Sequence, residues 1–201
     1  AAQLIGSNVR KEQPIANLRL RKAAVNNNAQ ISFVNPRAYE TNYPLANNIV
    51  VAQQAMVAEL SAIAAAAYKL SGNAVPANLS AISKVKVSKT HKAIAQQLTE
   101  AGSATVLLGN IAAMHSQFSE LRTLAEAIAS ETGSVFGYLS DGCNAAGAWL
   151  AGAVPHRGAG GATEQVITGK SIDELVQHKL AACLLLDIEP DTDAADAGQL
   201  M

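Results

Sequence analysis

The chain has few of the residues that build disulfide frameworks, iron–sulfur sites or zinc sites. Its two cysteines, Cys143 and Cys183, are too few for a disulfide framework or for a cluster held by four thiolates. We expect both to be small buried thiols. Histidines at metal-ligand spacing are also missing; those that occur are scattered along the chain: His91, His115, His156 and His178. The sequence therefore predicts no metal site.

Charge is scarce as well. Charged residues make up 15% of the chain, the net charge is −1 and no block of like charges occurs, which argues against nonspecific binding to nucleic acid. Long apolar runs are missing, since the stretch 49–70 is interrupted by Gln53, Gln54 and Glu59. A helix that spans a bilayer needs about 20 apolar residues. We therefore expect neither nucleic-acid binding nor direct membrane insertion.

Hydrophobic residues are abundant, at 49% of 201 positions. This share excludes disorder and indicates a real core, with further surface buried against partners. Short apolar segments alternate with segments of helical periodicity. The predicted strands are residues 1–6, 30–35, 104–109, 134–139 and 180–189. Helices are predicted from Pro14 to Val25, over 53–70 with Gly72 as its stop, over 94–101, over 118–128 before Gly133, after Asp141, and from the Ser171–Glu174 capping box.

The predicted strands are apolar throughout, as are the strands of a parallel sheet that is covered on both faces. We therefore predict an α/β fold: a single Rossmann-like three-layer domain over residues 1–201, with a mostly parallel sheet of about five strands. Residues 71–88 are small and polar, and are predicted to be a loop or an insertion. Because the chain begins in a predicted strand and stops in a predicted helix start, we expect it to be a piece of a longer protein.

In such a sheet, ligands bind beyond the carboxyl ends of the strands. Residues at these ends that could meet an anion or a nucleoside are Gly6, Ser7, Asn8, Arg10, Lys11, Asn35 and Arg37. However, no G-x-G-x-x-G follows the first strand, and Asn35 stands where a dinucleotide domain normally offers a carboxylate to a ribose hydroxyl. The glycine run at 158–161 follows a predicted helix instead of opening one, so we expect it to be a flexible connection.

Catalytic groupings are missing from the sequence. Ser7 and Ser140 lack the G-x-S-x-G elbow of a hydrolase. The acidic residues of 189–193 lack the spacing of a calcium loop, and are predicted to cap the following helix. His156 and Arg157 are predicted to lie in a solvated loop. The residues therefore indicate a scaffold with no catalytic group.

Four segments carry a family resemblance that covers essentially the whole chain. They are LIGSNVRKEQPIANLRLRKAA, ISFVNPR, SDGCNAAGAWLAGAVPHRGAGG and CLLLDIEPDTD, and GAWLAGAVPHR is the most specific block. The chain resembles bacterial NADH-quinone oxidoreductase, the respiratory complex I, in its iron–sulfur subunit designated G. The similarity lies in the C-terminal region of that iron–sulfur subunit, which has a molybdopterin-oxidoreductase fold.

The resemblance implies a noncatalytic structural domain, inactive by itself, in the electron-transfer arm of complex I. Its partners would be the remaining domains of the same subunit and neighbouring complex I subunits. It implies no cofactor in this chain, with iron–sulfur clusters in the N-terminal region of the parent subunit. It also implies a cytoplasmic location, at the inner membrane through the complex.

Molybdoenzyme relatives contact a pterin-guanine dinucleotide through a G-x-N-P stretch after one strand and a D-P-R stretch after the next. The matching positions here are Gly6, Ser7, Asn8 and Val9, then Asn35, Pro36 and Arg37. Val9 replaces the proline and Asn35 the aspartate, so the resemblance implies a vestigial site. Two alternatives stay open: a dinucleotide-binding domain of a formate-dehydrogenase-like oxidoreductase, and a free-standing module that binds a small molecule.

Overall fold

A computed structural model describes residues 1–140, 142, 144–154, 156–163, 174 and 181–193. The chain divides into two compact units, Ala1–Asp141 and Gly142–Met201. The first unit contains the sheet and the long helices of the described residues. Within the segment 71–88, residues Ala77–Lys84 form a 3₁₀ helix with irregular chain on both sides. The single domain over 1–201 stays a prediction.

The strands of the first unit are β1 (Ala2–Ile5), β2 (Ile31–Asn35), β3 (Asn47–Val50), β4 (Thr105–Leu108) and β5 (Val135–Tyr138). They form one parallel sheet in the order β3-β2-β1-β4-β5. The register places Ile5 opposite both Val34 and Leu108. This topology confirms the predicted α/β, Rossmann-like three-layer fold.

The helices of this unit are α1 (Val9–Glu12), α2 (Pro14–Asn27), α3 (Met56–Ser71), α4 (Lys89–Glu100), α5 (Asn110–Ala113) and α6 (Phe118–Thr132). They cover both faces of the sheet, which is why β1 and β2 are buried at every position. On one face, Ile5, Val34 and Val106 pack in a core with α3, α4 and α6. On the other face, Leu4 and Phe33 pack with α1 and α2.

Several helix ends follow the predicted signals. Pro14 is the first residue of α2, where its missing N–H costs nothing. Gly72 and Gly133 end α3 and α6 in the left-handed conformation, with φ of 74° and 66°. The sequence therefore located these helix ends through backbone chemistry alone.

The prediction of a last strand at 180–189 is wrong over residues 181–189, which contain no strand. Leu184 and Leu186 are 95% and 84% exposed there. The remaining strand of the sheet is β3, which sequence reasoning missed. Because β3 is an edge strand that pairs only with β2, it needs backbone hydrogen bonds and one buried side chain, Ile49, and its sequence NNIV shows no apolar run.

The described residues of the second unit form short elements. They are α7 (Ala145–Ala151), a 3₁₀ turn (Ala159–Gly161) and α8 (Pro190–Asp193). The capping box predicted at Ser171 lies outside the described residues. Across the described part of both units, the helices are too short or too polar to cross a bilayer.

Candidate functional site

The candidate site lies where the strand order reverses. β1 is flanked by β2 on one side and by β4 on the other, and ligands of open α/β sheets bind at such a switch point, beyond the carboxyl ends of the strands. The chain leaves β1 through Gly6 and Ser7, leaves β2 through Pro36, and leaves β4 through Gly109. The fold therefore brings together the residues that the sequence placed at these ends.

The side-chain amide of Asn35 is bound to the backbone of Ser7. Its Oδ1 accepts a hydrogen bond from the Ser7 N–H at 2.8 Å, and its Nδ2 donates to the Ser7 carbonyl at 3.0 Å. Asn35 is fully buried. A carboxylate could accept the first bond but could not donate the second. Asn35 thus holds the turn after β1, with its carboxamide directed at the protein.

Gly6 lies in direct contact with α5. Its φ is +60°, and an added Cβ would lie 2.7 Å from the Cβ of Ala112. The Ala112 N–H also donates to the Gly6 carbonyl at 3.2 Å, and Ala112 is fully buried. Glycine is therefore required here for the close approach of α5 as well as for the backbone conformation. α5 occupies the position over the end of β1.

The opposite side of the turn is equally tight. A Cβ added at Gly109 would lie 2.7 Å from the Cα of Ser7, and the Gly109 N–H donates to the Ile5 carbonyl at 2.8 Å. Two glycines thus allow the chain segments after β1 and β4 to touch. Sequence reasoning missed α5, which closes this contact.

The hydroxyl of Ser7 is fully buried and has no hydrogen-bond partner among the described residues. Such a group costs about 1–3 kcal/mol when it is left unsatisfied. Among the candidate positions that follow β1 and β2, it is the buried side-chain group that lacks a partner. Because Ser7 is enclosed by Asn35 and Gly109, the hydroxyl is out of reach of a ligand in this conformation.

The first turn after β1 is already occupied by a carboxylate. The Asn8 N–H donates to Glu12 Oε2 at 3.1 Å, so the amide that a phosphate would use has an internal anionic partner. Val9 is buried in the core with Leu4 and Phe33. Its place in α1 is therefore set by packing.

The basic residues of the site are at the surface. Arg10 Nη1 contacts Glu40 Oε2 at 3.3 Å in an exposed pair. Lys11 and Arg37 are exposed, and neither forms an ion pair within the described part of the chain. Pro36 is half-buried between Asn35 and Arg37. Lys11 and Arg37 are thus strand-end cations that are free to meet a ligand.

Gln13 connects the two halves of the sheet edge. Its Nε2 donates to the carbonyl of Ser140 at 2.9 Å and to that of Leu139 at 3.4 Å. Gln13 follows α1, and Leu139 follows β5, so this side chain spans from the β1 connection to the β5 end. It is a further strand-end contact that sequence reasoning missed.

The two buried histidines serve as structural side chains. His115 Nε2 lies 2.8 Å from the Gln53 carbonyl, and its Nδ1 accepts from the Gln117 N–H at 2.9 Å. His91 Nε2 lies 2.7 Å from Glu59 Oε2, while its Nδ1 accepts from the Ser88 N–H. Both rings therefore have partners at each nitrogen. His178 lies outside the described residues.

The other sequence candidates do not converge. Over the described residues, no three His, Cys, Asp or Glu side chains are arranged to hold a metal ion. Cys183 is exposed, against the expectation of a buried thiol, because the strand predicted around it does not form. Cys143 and Asp141 lie outside the described residues. Asp193 accepts a hydrogen bond from the Glu189 N–H at 2.9 Å, which engages this carboxylate within its own turn.

The described residues of the loop that follows α7 form contacts within the loop and with α7. The His156 ring packs edge-on against Trp149, with centroids 5.3 Å apart, and Arg157 donates to the His156 carbonyl. Gly160 and Gly161 adopt positive φ in the 3₁₀ turn, and residues 162–163 continue without a helix. A phosphate loop would need a helix N-terminus after these glycines.

A pterin-guanine dinucleotide does not fit the strand ends as they stand. The groups that would meet it are used internally: the amide of Asn35 by Ser7, the N–H of Asn8 by Glu12, and the space over Gly6 by Ala112. Binding would require these contacts to break.

One comparison with known proteins identifies a family. The family model described as Molybdopterin oxidoreductase matches residues 1–200 of the 201-residue chain. No curated protein matches the chain.

Proposed function

This chain belongs to the molybdopterin oxidoreductase family, and we propose that within it the chain is a noncatalytic structural domain of the iron–sulfur subunit of NADH-quinone oxidoreductase, in the electron-transfer arm of respiratory complex I. The family membership supports a general role in oxidoreduction. The finer assignment rests on the four sequence segments that resemble this iron–sulfur subunit. It implies that the domain keeps the family fold while other parts of the complex carry electrons.

The bidentate contact between Asn35 and Ser7 carries this proposal. A domain that recognised a nucleoside through the end of β2 would direct a hydrogen-bonding group outward at this position. Here both atoms of the carboxamide are satisfied by one residue of the same chain. The close contact of Gly6 with Ala112 supports the same conclusion, because it fills the place beside the turn.

The proposal extends to cofactors, partners and location. Iron–sulfur clusters would be bound in an N-terminal region of the parent subunit, and this chain would bind none. Its partners would be the remaining domains of that subunit and adjacent subunits of the complex. The domain would lie on the cytoplasmic side, attached to the inner membrane through the complex.

A second function is favoured by what the site retains. Gly6 adopts the left-handed conformation expected of a tight turn after β1, and Arg37 is exposed without a partner among the described residues. A molybdopterin-guanine-dinucleotide-binding domain of a formate-dehydrogenase-like oxidoreductase would use both. It would also have to reorganise Asn35 and Ser7, and for this reason we rank it second.

Full-length parent protein, purified with and without Arg37→Ala, separates the two functions. For the structural domain, we expect no stoichiometric molybdenum and equal NADH oxidation with ferricyanide in both preparations. For the dinucleotide-binding domain, molybdenum would be present and Arg37→Ala would lower its content together with turnover. Lys22→Gln, at an exposed cation of α2 outside the candidate site, serves as the surface-charge control.

A further inference from the structure

A groove of about 310 Å³ lies on the first unit between α3 and α4, away from the strand ends. Ala66, Lys69 and Leu70 line it from α3, at positions that share one helix face. Lys92 and Gln96 line it from α4, and Val87 lies at its end before that helix. The groove thus has an apolar floor and a lysine on each side.

The segment that forms this groove is rich in lysine. Residues 60–99 hold five lysines and neither an Asp nor a Glu: Lys69, Lys84, Lys86, Lys89 and Lys92. All five are exposed, and none forms an ion pair within the described residues. By contrast, the chain as a whole has a net charge of −1. Lys69 and Lys92 are therefore groove-lining cations without an ion-pair partner among the described residues.

The acids that border this segment, along the chain or through a contact, have hydrogen-bond partners. Glu59 lies 2.7 Å from His91, and Glu131 accepts hydrogen bonds from Ser71 and Asn73. Glu100 accepts from Gln96 at 2.6 Å, so one carboxylate lies toward the C-terminal end of α4. The positive part of the groove is therefore the part between Lys69 and Lys92.

The lysines of α4 oppose its helix dipole. Lys89 is the first residue of α4, and the first turn contains no acidic residue. Cations at a helix N-terminus are unfavourable, because the free N–H groups give that end a partial positive charge. An acidic residue at the N-terminus of α4 would stabilise the helix. An anionic partner would remove this unfavourable arrangement.

We propose that the groove between α3 and α4 binds an acidic, amphipathic helix of a partner protein. Apolar side chains of that helix would contact Ala66 and Val87, while its carboxylates would reach Lys69 and Lys92. Leu70 is 51% exposed at this groove and would be covered by such a partner. Helix-in-groove binding uses this combination of apolar anchors and flanking charge.

Two other anionic partners fit less well. Single-stranded nucleic acid is bound through aromatic side chains on which bases stack, and the groove is lined by none. A membrane surface is bound by a protruding row of large apolar residues beside the basic ones. In this groove the surface is concave, and Leu70 is the one large apolar side chain among the lining residues. A protein segment therefore fits the observed surface best.

The test is a titration of the ¹⁵N-labelled full chain, followed by NMR, with a synthetic helical peptide that carries leucines at i and i+4 among glutamates. We expect chemical-shift changes centred on the groove at Ala66, Leu70, Val87 and Gln96. The double variant Lys69→Gln/Lys92→Gln should weaken binding about tenfold, since it removes two exposed ion pairs. The matched control Arg19→Gln/Lys22→Gln removes two exposed charges from α2 and should leave the affinity unchanged.

A second peptide, with serines in place of the leucines, tests the apolar floor and should bind more weakly. Equal binding of both peptides, or equal loss in both double variants, would reduce the surface to general charge attraction and overturn the proposal. So would the absence of peptide binding. Binding to phosphatidylglycerol vesicles without binding to the leucine peptide would identify a membrane surface instead.

Discussion

The amides at the strand ends and the lysines of the groove between α3 and α4 differ in whether the chain supplies a partner for them. At the ends of β1 and β2, Asn35 and Asn8 are satisfied by the chain itself. At the groove, Lys69 and Lys92 have no ion-pair partner among the described residues. The place where the fold usually binds ligands is therefore closed, while an unrelated surface carries lysines without ion-pair partners. Fold alone does not locate the interacting surface of this domain.

The largest predicted effect on stability comes from adding a methyl group at Gly6, in the turn after β1. Gly6→Ala should lower the free energy of unfolding by about 2–5 kcal/mol, because a Cβ at this positive φ would also meet Ala112. Gly133→Ala is the matched control: its φ is +66°, with no atom within 4 Å of the added Cβ, and it should cost only about 1–2 kcal/mol. Urea unfolding measures both. Equal losses would show that α5 does not restrict this site.

The next effect concerns the amide clamp, the pair of hydrogen bonds between Asn35 and Ser7. Asn35→Asp should cost about 2–4 kcal/mol at neutral pH, because the variant loses the donor to the Ser7 carbonyl and buries a charge. Asn48→Asp, at an exposed position of β3, should change stability by less than about 0.5 kcal/mol. Denaturant unfolding of the two variants compares them directly. A neutral Asn35→Asp would mean that the carboxamide does not hold the turn.

A smaller effect concerns Tyr43, whose side chain packs on the same sheet face as α2. Burial raises the pKa of Tyr43 to about 12, so the folded state keeps a proton that the unfolded state loses near pH 10. Stability should therefore fall between pH 10 and 12, by at most roughly 2 kcal/mol. Tyr43→Phe should abolish this share of the loss. A parallel pH dependence of wild type and variant would contradict the assignment.

The smallest predicted effect is a change in folding stability when a lysine is neutralised, and it has opposite signs on α3 and α4. Lys89→Gln should raise stability by about 0.3–1 kcal/mol, because it removes a cation from the positive end of α4. Lys69→Gln should lower it by a similar amount, because Lys69 lies in the last turn of α3. Thermal unfolding at low salt measures the pair. A change of the same sign in both variants would contradict the statement that Lys89 destabilises α4 through the helix dipole.

Sequence reasoning found the fold because its main signals are local. Apolar strands identified β1, β2, β4 and β5, and glycine stops such as Gly133 ended helices where expected. β3 was missed because an edge strand needs few apolar side chains, and residues 181–189 were misassigned because an apolar run becomes a strand only beside a partner. Neither stretch shows in its own sequence whether a distant segment pairs with it.

The position of the candidate site could be predicted from the sequence, but the hydrogen bonds and packing of its residues could not. Gly6, Ser7 and Asn35 were assigned to strand ends from the sequence, and the sheet brings them together. The direction of the Asn35 amide depends on the pairing of β1 with β2, and the space over Gly6 depends on α5, which begins more than 100 residues later in the chain. Both are tertiary facts that no local pattern carries.

The central claim, that the strand ends are closed to a dinucleotide, is tested most directly by thermal unfolding of the chain with guanine nucleotides and with pterin-guanine dinucleotide. We predict no shift of the melting temperature beyond error at millimolar ligand, and no gain in Asn35→Asp. A ligand bound at 100 times its Kd would stabilise the fold by about 2.7 kcal/mol, or roughly 5–10 °C for a domain of this size. A shift of that magnitude, abolished by Arg37→Ala, would contradict the account.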